Sequence, residues 1–396
     1  MDITIQPQTL HGSITVIPSK SQAHRLLICA AFSDRETKLL CGETSKDIEA
    51  TADCLNALGA RIKRTVSGYT VTPVDSIPEE ATLNCGESGS TLRFLLPIAG
   101  ALGVDATFLM AGRLPQRPLS PLWEEMERMG CSLSRPTEDT IRCTGKLRPG
   151  SYVISGNVSS QYITGLLFAL SLLETESTLE VTGTIASRPY IHMTGAVLSQ
   201  FGADPAHPGK NKFRSPGTIS VEGDWSNGAF FLAAKALGSD LAILGLNPDS
   251  PQGDKAVSEL LEQLKHGTPT ISAADIPDLV PILSVMAACN HGAVFTDIQR
   301  LRLKESDRVA STVAMIQNLG GKAVASDNTL TVFGTGLTGG TVDSVNDHRI
   351  AMSAAIASTV CTAPVTILGA QSVSKSYPGF WEEFTRLGGN YELDLR

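Results

Sequence analysis

The chain is short of charge, of aromatic side chains and of any long apolar run. Charged residues fill 18% of its 396 positions and aromatic ones 5%. Basic residues are outnumbered, 32 Lys and Arg against 40 Asp and Glu, and the net charge of -8 leaves no broad basic surface for a nucleic-acid backbone or an acidic membrane. The opening MDITIQPQTL has neither a basic nor an apolar signal region, and the most apolar window, 94-FLLPIAGALGV-104, is too short to span a bilayer. No nucleic-acid or membrane partner is therefore expected, and the expected location is cytoplasmic. Eight cysteines are scattered with no CxxC pair, and seven histidines lack ligand spacing, which predicts reduced, buried thiols and no metal. With 42% apolar residues the chain can bury a sizeable core, and its length favours two or more domains.

What is present is a repeat. The pattern apolar-x-x-apolar-Gly recurs as 55-LNALG-59, 126-MERMG-130, 198-LSQFG-202, 316-IQNLG-320 and 384-FTRLG-388, with a degenerate member at 261-LEQLK-265. It predicts helices stopped by a left-handed glycine. A second set runs in step: polar starts leading into apolar runs at 19-SKSQAHRLLICAAF-32, 88-SGSTLRFLLPIAGAL-102, 159-SSQYITGLLFALSLL-173, 224-DWSNGAFFLAAKALG-238, 278-DLVPILSVMAA-288 and 347-DHRIAMSAAIAS-358. Each begins with Ser or Asp, residues that cap helices, and each is apolar nearly all round, so burial is expected. Alternating β-branched segments such as 151-SYVISG-156, 178-TLEVTG-183, 329-TLTVFG-334 and 364-PVTILG-369 read as strands. The chain thus divides into six copies of one α/β unit.

Six helix starts are six places where free N–H groups favour an anion. Ser and Asp there act equally well as plain caps. Lys20, Arg25, Arg93, Arg349 and Lys375, however, lie in or near such starts against the helix dipole, which points to a ligand of opposite charge. The turn 86-GESGSTLRF-94 lacks the Lys and spacing of a P-loop; it is either an anion cradle or a structural turn. In 112-GRLPQRPLSPL-122, prolines stiffen a loop whose Arg113 and Arg117 either hold an anion or face solvent. Ser159, Ser160 and Gln161, with Ser187, Arg188 and Tyr190, supply donors suited to a phosphorylated polyol, although capping explains the serines too. In 302-RLKESDR-308, Lys304 and Arg308 are expected on one helical face, a like-charge pair that an anion between them would relieve. Glu305 could exchange protons with a substrate if its pKa is raised.

Taken in order, SKSxxxR, GxSGSTLR, QRPL, SSQ, SRPY, IPD, LKESDR, NDHR and SKSYP resemble the EPSP synthase (enolpyruvylshikimate phosphate synthase) family from Ser19 to Pro378. The resemblance implies an α/β fold of two similar domains, each of three βαβαββ repeats with buried helices (an inside-out α/β barrel). The domains would comprise 20–222, and 1–19 with 223–396, with ligands in the interdomain cleft and closure on binding. It implies transfer of the enolpyruvyl group of phosphoenolpyruvate to the 5-hydroxyl of shikimate 3-phosphate, by a monomer with no metal or organic cofactor. Carried over position by position, Lys20, Ser21, Arg25, Ser159, Ser160, Gln161, Ser187, Tyr190, Asp278 and Lys304 would hold shikimate 3-phosphate. Lys20, Gly89, Arg93, Arg117, Gln161, Arg308, Arg349 and Lys375 would hold phosphoenolpyruvate. Asp278 would take the hydroxyl proton, and Glu305, assisted by Lys20, would protonate the methylene.

Two positions depart from the family pattern: Glu87 stands where many relatives have Asn, and Arg300 where some have Asn. Gly89 keeps the small residue that leaves room for glyphosate, so sensitivity to it is expected. The sister transferase that uses UDP-N-acetylglucosamine carries a reactive Cys in the loop matching 112–122; that loop has none here, and Cys131 is the nearest following. A non-catalytic phosphosugar-binding protein on the same scaffold would need the arginines but not Asp278 or Glu305.

Overall fold

A computed structural model describes residues 1–209 and 213–394. Contacts divide the chain into two units, Pro18–Glu222 and Met1–Ile17 with Gly223–Arg396.

The unit Pro18–Glu222 wraps three sheets around three buried helices, Lys20–Ala31, Gly89–Leu102 and Ser160–Ser171. The repeat is clearest in the second sheet, where strand Glu80–Gly86, helix Gly89–Leu102, strand Asp105–Met110, helix Leu122–Arg128 and the hairpin Cys131–Thr137/Thr140–Gly145 follow as βαβαββ. The first sheet borrows its parallel edge strand Thr218–Ser220 from the end of the unit and lays it on Thr37–Leu40, which closes the unit on itself. The third sheet is only the parallel pair Ser151–Ser155 and Thr178–Thr182.

The unit formed by Met1–Ile17 and Gly223–Arg396 repeats this plan around helices Trp225–Ala236, Val280–Cys289 and His348–Ala357. Thr270–Ser272, Gly292–Thr296, Thr329–Phe333 and Lys322–Ala325 form one sheet, and Gly340–Asp343, Val365–Leu368, Asp2–Ile5 and Tyr391–Asp394 another. The third is the parallel pair His11–Thr15 and Asp240–Leu244. Among the described residues, therefore, two repeats in each unit are complete and the third keeps only a parallel pair. Among the described residues the sheets stay separate, with no closed barrel.

The local punctuation has a simple physical cause. Gly59, Gly130, Gly202, Gly320 and Gly388 all have positive φ and stop the outer helices, a conformation in which a Cβ is strained. The degenerate repeat differs: helix Val257–His266 ends at Gly267, which is extended at φ -177° and needs no left-handed conformation before strand Thr270–Ser272. Five of the six inner helices are capped as their sequences predict, by Ser19, Ser88, Ser159, Asp224 and Asp347. The sixth is not: the cap position of Val280–Cys289 falls on Leu279, which makes no side-chain cap bond, and Pro281 lies in its first turn.

Candidate active site

Within Pro18–Glu222 the start of helix Gly89–Leu102 gathers the candidate phosphoenolpyruvate residues. Ser88 accepts from the Thr91 amide at 3.2 Å and so orders the first turn. A Cβ built on Gly89 would lie 2.6 Å from both Arg93 Nη1 and Arg117 Nη1, so the two guanidinium groups flank this glycine. Arg93 also donates to the Pro118 carbonyl at 3.0 Å and lies over the Tyr162 ring at 5.8 Å, while the Tyr162 hydroxyl donates to the same carbonyl. Gln161 joins them by donating to Ser90 Oγ at 3.0 Å. Helices Gly89–Leu102 and Ser160–Ser171 can approach this closely because position 165 is glycine; a Cβ there would collide with the Arg93 carbonyl.

Two of the candidate shikimate-phosphate residues of this unit, Ser21 and Tyr190, meet Arg25 through their backbone carbonyls. Its Nε donates to Thr194 Oγ1 at 2.8 Å, Nη1 to the Ser21 carbonyl at 2.6 Å, and Nη2 to the Tyr190 carbonyl at 3.1 Å. The group sits over Phe94 at 5.0 Å, and burial lowers its pKa to about 10. Arg25 thus braces three helices. Lys20 forms an ion pair with Asp47 at 2.8 Å. Ser187 adopts a left-handed φ of 56° with no side-chain cap bond, an uncommon conformation for serine, and Ser160 is buried behind the Ser159 cap.

The other unit holds a different kind of site. Asp278 is ringed by cations: Oδ1 lies 2.7 Å from Arg308 Nη1 and 3.6 Å from Lys304 Nζ, and Oδ2 lies 3.3 Å from Arg349 Nη2. Arg308, 1% exposed, also binds Glu305 at 2.6 Å and Asp347 at 3.0 Å. Burial opposes its charge, yet Asp347, Glu305 and Asp278 together hold its pKa above the ordinary arginine value. Asp347 is held low in turn: burial works against its charge, and Arg308 then His348 outweigh it. Lys304 is pushed down by burial, only partly offset by Asp278.

The expected shared helical face of Lys304 and Arg308 is overturned. Lys304 is extended at the end of the 3-10 turn Gln299–Leu303, and the helix starts only at Arg308, capped by Asp307. What relieves the two like charges is the Asp278 carboxylate, to which both reach. In the opening of helix His348–Ala357, Asp347 accepts from the Arg349 amide at 3.0 Å, and Val345 and Asn346 take left-handed φ values that aim the turn. Lys375 donates to the Asn346 carbonyl at 2.7 Å.

Sequence reasoning missed three residues. Asp47, partner of Lys20, follows the Ser45 cap and reads as helix-start chemistry. Ser226 and Asp254 sit behind Arg349, whose Nη1 donates to the Ser226 carbonyl at 3.3 Å, and no spacing in 251-PQGD-254 advertises them. Among the described residues no group of His, Cys, Asp and Glu could hold a metal ion.

The family model for EPSP synthase (3-phosphoshikimate 1-carboxyvinyltransferase) matches residues 5–384. A protein of that second name from Clostridium kluyveri is 36% identical over 99% of this chain and 98% of its own, and one from Clostridium novyi is 36% identical over 98% of each. An EPSP synthase structure from Acinetobacter baumannii aligns with TM-score 0.79 at 23% identity, covering 99% of this chain and 100% of that one. An enolpyruvyl transferase from Streptomyces tendae aligns nearly as well, at 0.78 and 15% identity over 99% of this chain and 98% of that one, so the fold is common to more than one transferase. The matched length and the identity to the clostridial proteins place this chain in the EPSP synthase family.

Proposed function

We propose that the protein transfers the enolpyruvyl group of phosphoenolpyruvate to the 5-hydroxyl of shikimate 3-phosphate, releasing phosphate. The observation that carries this reading is Asp278: a carboxylate held by Arg308, Lys304 and Arg349, and adjoining Glu305 through Arg308. Anionic substrates would compete for Arg349 and Lys304, leaving Asp278 free to accept a proton.

In the addition step the hydroxyl oxygen attacks C2 of phosphoenolpyruvate, its proton passes to Asp278, and Glu305, with Lys20 assisting, delivers a proton to C3. In the elimination step C3 gives its proton back to Glu305, the C2–O bond to phosphate breaks with phosphate leaving, and the C2=C3 double bond re-forms, now as the enol ether. Arg93, Arg117, Arg308, Arg349 and Lys375 would neutralise the phosphoenolpyruvate anion, a preorganised electrostatic contribution. Ser159, Ser160, Gln161, Ser187, Tyr190 and Arg25 would hold the phosphorylated acceptor. The enzyme acts as a cytoplasmic monomer without metal or cofactor in this reading. Glyphosate inhibition belongs to it too, since Gly89 carries no Cβ beside Arg93 and Arg117.

Phosphate release is measured with shikimate 3-phosphate and, in parallel, with UDP-N-acetylglucosamine. Release with the first acceptor alone is expected; release with the second, or with neither, sinks the proposal. Cys131 supports the expected choice, because it is buried in strand Cys131–Thr137 and not carried on the loop of Arg113 and Arg117.

A further inference from the structure

Behind Arg349 lies a buried acid that this chemistry does not use. Asp254, 2% exposed, belongs to the 3-10 turn Gly253–Ala256. Ser226 Oγ donates a short hydrogen bond to its Oδ2, while Oδ1 is buried with no hydrogen-bond partner. The turn is clamped to the start of helix Trp225–Ala236: Gln252 accepts from the Trp225 amide at 3.0 Å and donates to the Gly223 carbonyl at 2.9 Å. The Ser226 carbonyl in turn accepts from Arg349 Nη1 at 3.3 Å, and Arg349 Nη2 lies 3.3 Å from Asp278. Arg349 Nε has no partner among the described residues.

We propose that Asp254 is a positioning residue carried as a neutral acid: it fixes Ser226, whose carbonyl holds Arg349 against Asp278, and its ionisation would add an anion that draws Arg349 away from its ligand. A buried carboxylate with one oxygen unpaired is costly as an anion and far less so when protonated. The charged groups facing it are Asp278, Arg349 and Asp224. Burial, then Asp278, push its carboxyl up to about 7 against the pull of Arg349 and Ser226. The inference rests on the proposed function only for what Arg349 binds.

Three measurements test it. Because the folded value is raised above the ordinary value of about 4, the stability from protonated Asp254 is complete below that pH and is lost as pH rises towards 7. The Tm of Asp254→Asn should therefore gain on the wild type from pH 4 to 7 and hold its lead above; a constant gap overturns the protonation. The Tm shifts of Asp254→Ala and Arg349→Ala should be non-additive, and additive shifts overturn the link to Arg349. With both substrates, Asp254→Ala should lower kcat/KM for phosphoenolpyruvate about tenfold, mainly through KM, and Asp254→Asn should recover most of this at pH 6 while losing the alkaline limb near pH 7. Unchanged kcat/KM and pH profile in both variants of an active enzyme overturn the positioning role. A wild type silent with both substrates counts against the proposed function, and the two stability measurements then decide this inference alone.

Discussion

The two units share a repeat but partner their cations differently. In Pro18–Glu222, Arg25 and Arg93 donate to carbonyls and hydroxyls that orient their charge, while Lys20 meets the Asp47 carboxylate. In Gly223–Arg396, Arg308 and Arg349 face carboxylates, and Arg308 touches three of them. Neutral partners preorganise a receptor for an anion. Carboxylate partners make a nearly balanced cluster in which protons and anions can trade places, at the cost of desolvating every member.

Removing a member tests this difference most severely. Arg308→Ala would leave Asp278, Glu305 and Asp347 together around a buried gap, and a loss of about 3–5 kcal/mol in urea unfolding is expected; a loss below about 1 kcal/mol would mean that the cluster does not bear on stability. Arg349→Ala should cost on the order of 3 kcal/mol of transition-state stabilisation, read from kcat/KM, because it removes a charged contact to the ligand. An unchanged kcat/KM would remove Arg349 from the site. Gly89→Ala tests the neutral-partner unit: the new Cβ meets both guanidinium groups at 2.6 Å, so KM for phosphoenolpyruvate should rise by roughly tenfold with a smaller change in kcat. The smallest effect is expected from Ser88→Ala, about 1 kcal/mol of unfolding free energy from the lost cap. Acid sharpens the contrast further. Asp347 is held below its ordinary value, so its contribution is present above pH ~4 and lost as pH falls below it. Amide exchange in helix His348–Ala357 should accelerate there before exchange in helix Gly89–Leu102.

Residues 302–308 show where sequence reading stops. The basic pair Lys304 and Arg308 is plain in the sequence and its i, i+4 spacing predicts one helical face, whereas Asp307 caps a helix that starts after Lys304. Asp and Glu can be helix interior, cap or counter-ion, and local sequence does not choose among the three. The same ambiguity touches Asp278, whose place before an apolar run reads as a cap and whose partners lie 26 to 71 positions away. Asp254 was invisible for a related reason: its role depends on Ser226 and, through it, Arg349, neither of which is near it in the chain.

By itself the sequence determined the periodic features: inner helices apolar all round, glycine stops, five of six caps and the strands between them. These depend on φ preferences and on hydrogen bonds within a few residues. Only the tertiary structure decided which charges meet, because an ion pair between Arg349 and Asp278 is set by how two helix starts of one unit pack, and packing is a property of the whole core. It also decided that Arg25 braces helices through hydroxyls and carbonyls while Arg308 gathers carboxylates, a distinction that the identity of an arginine cannot carry.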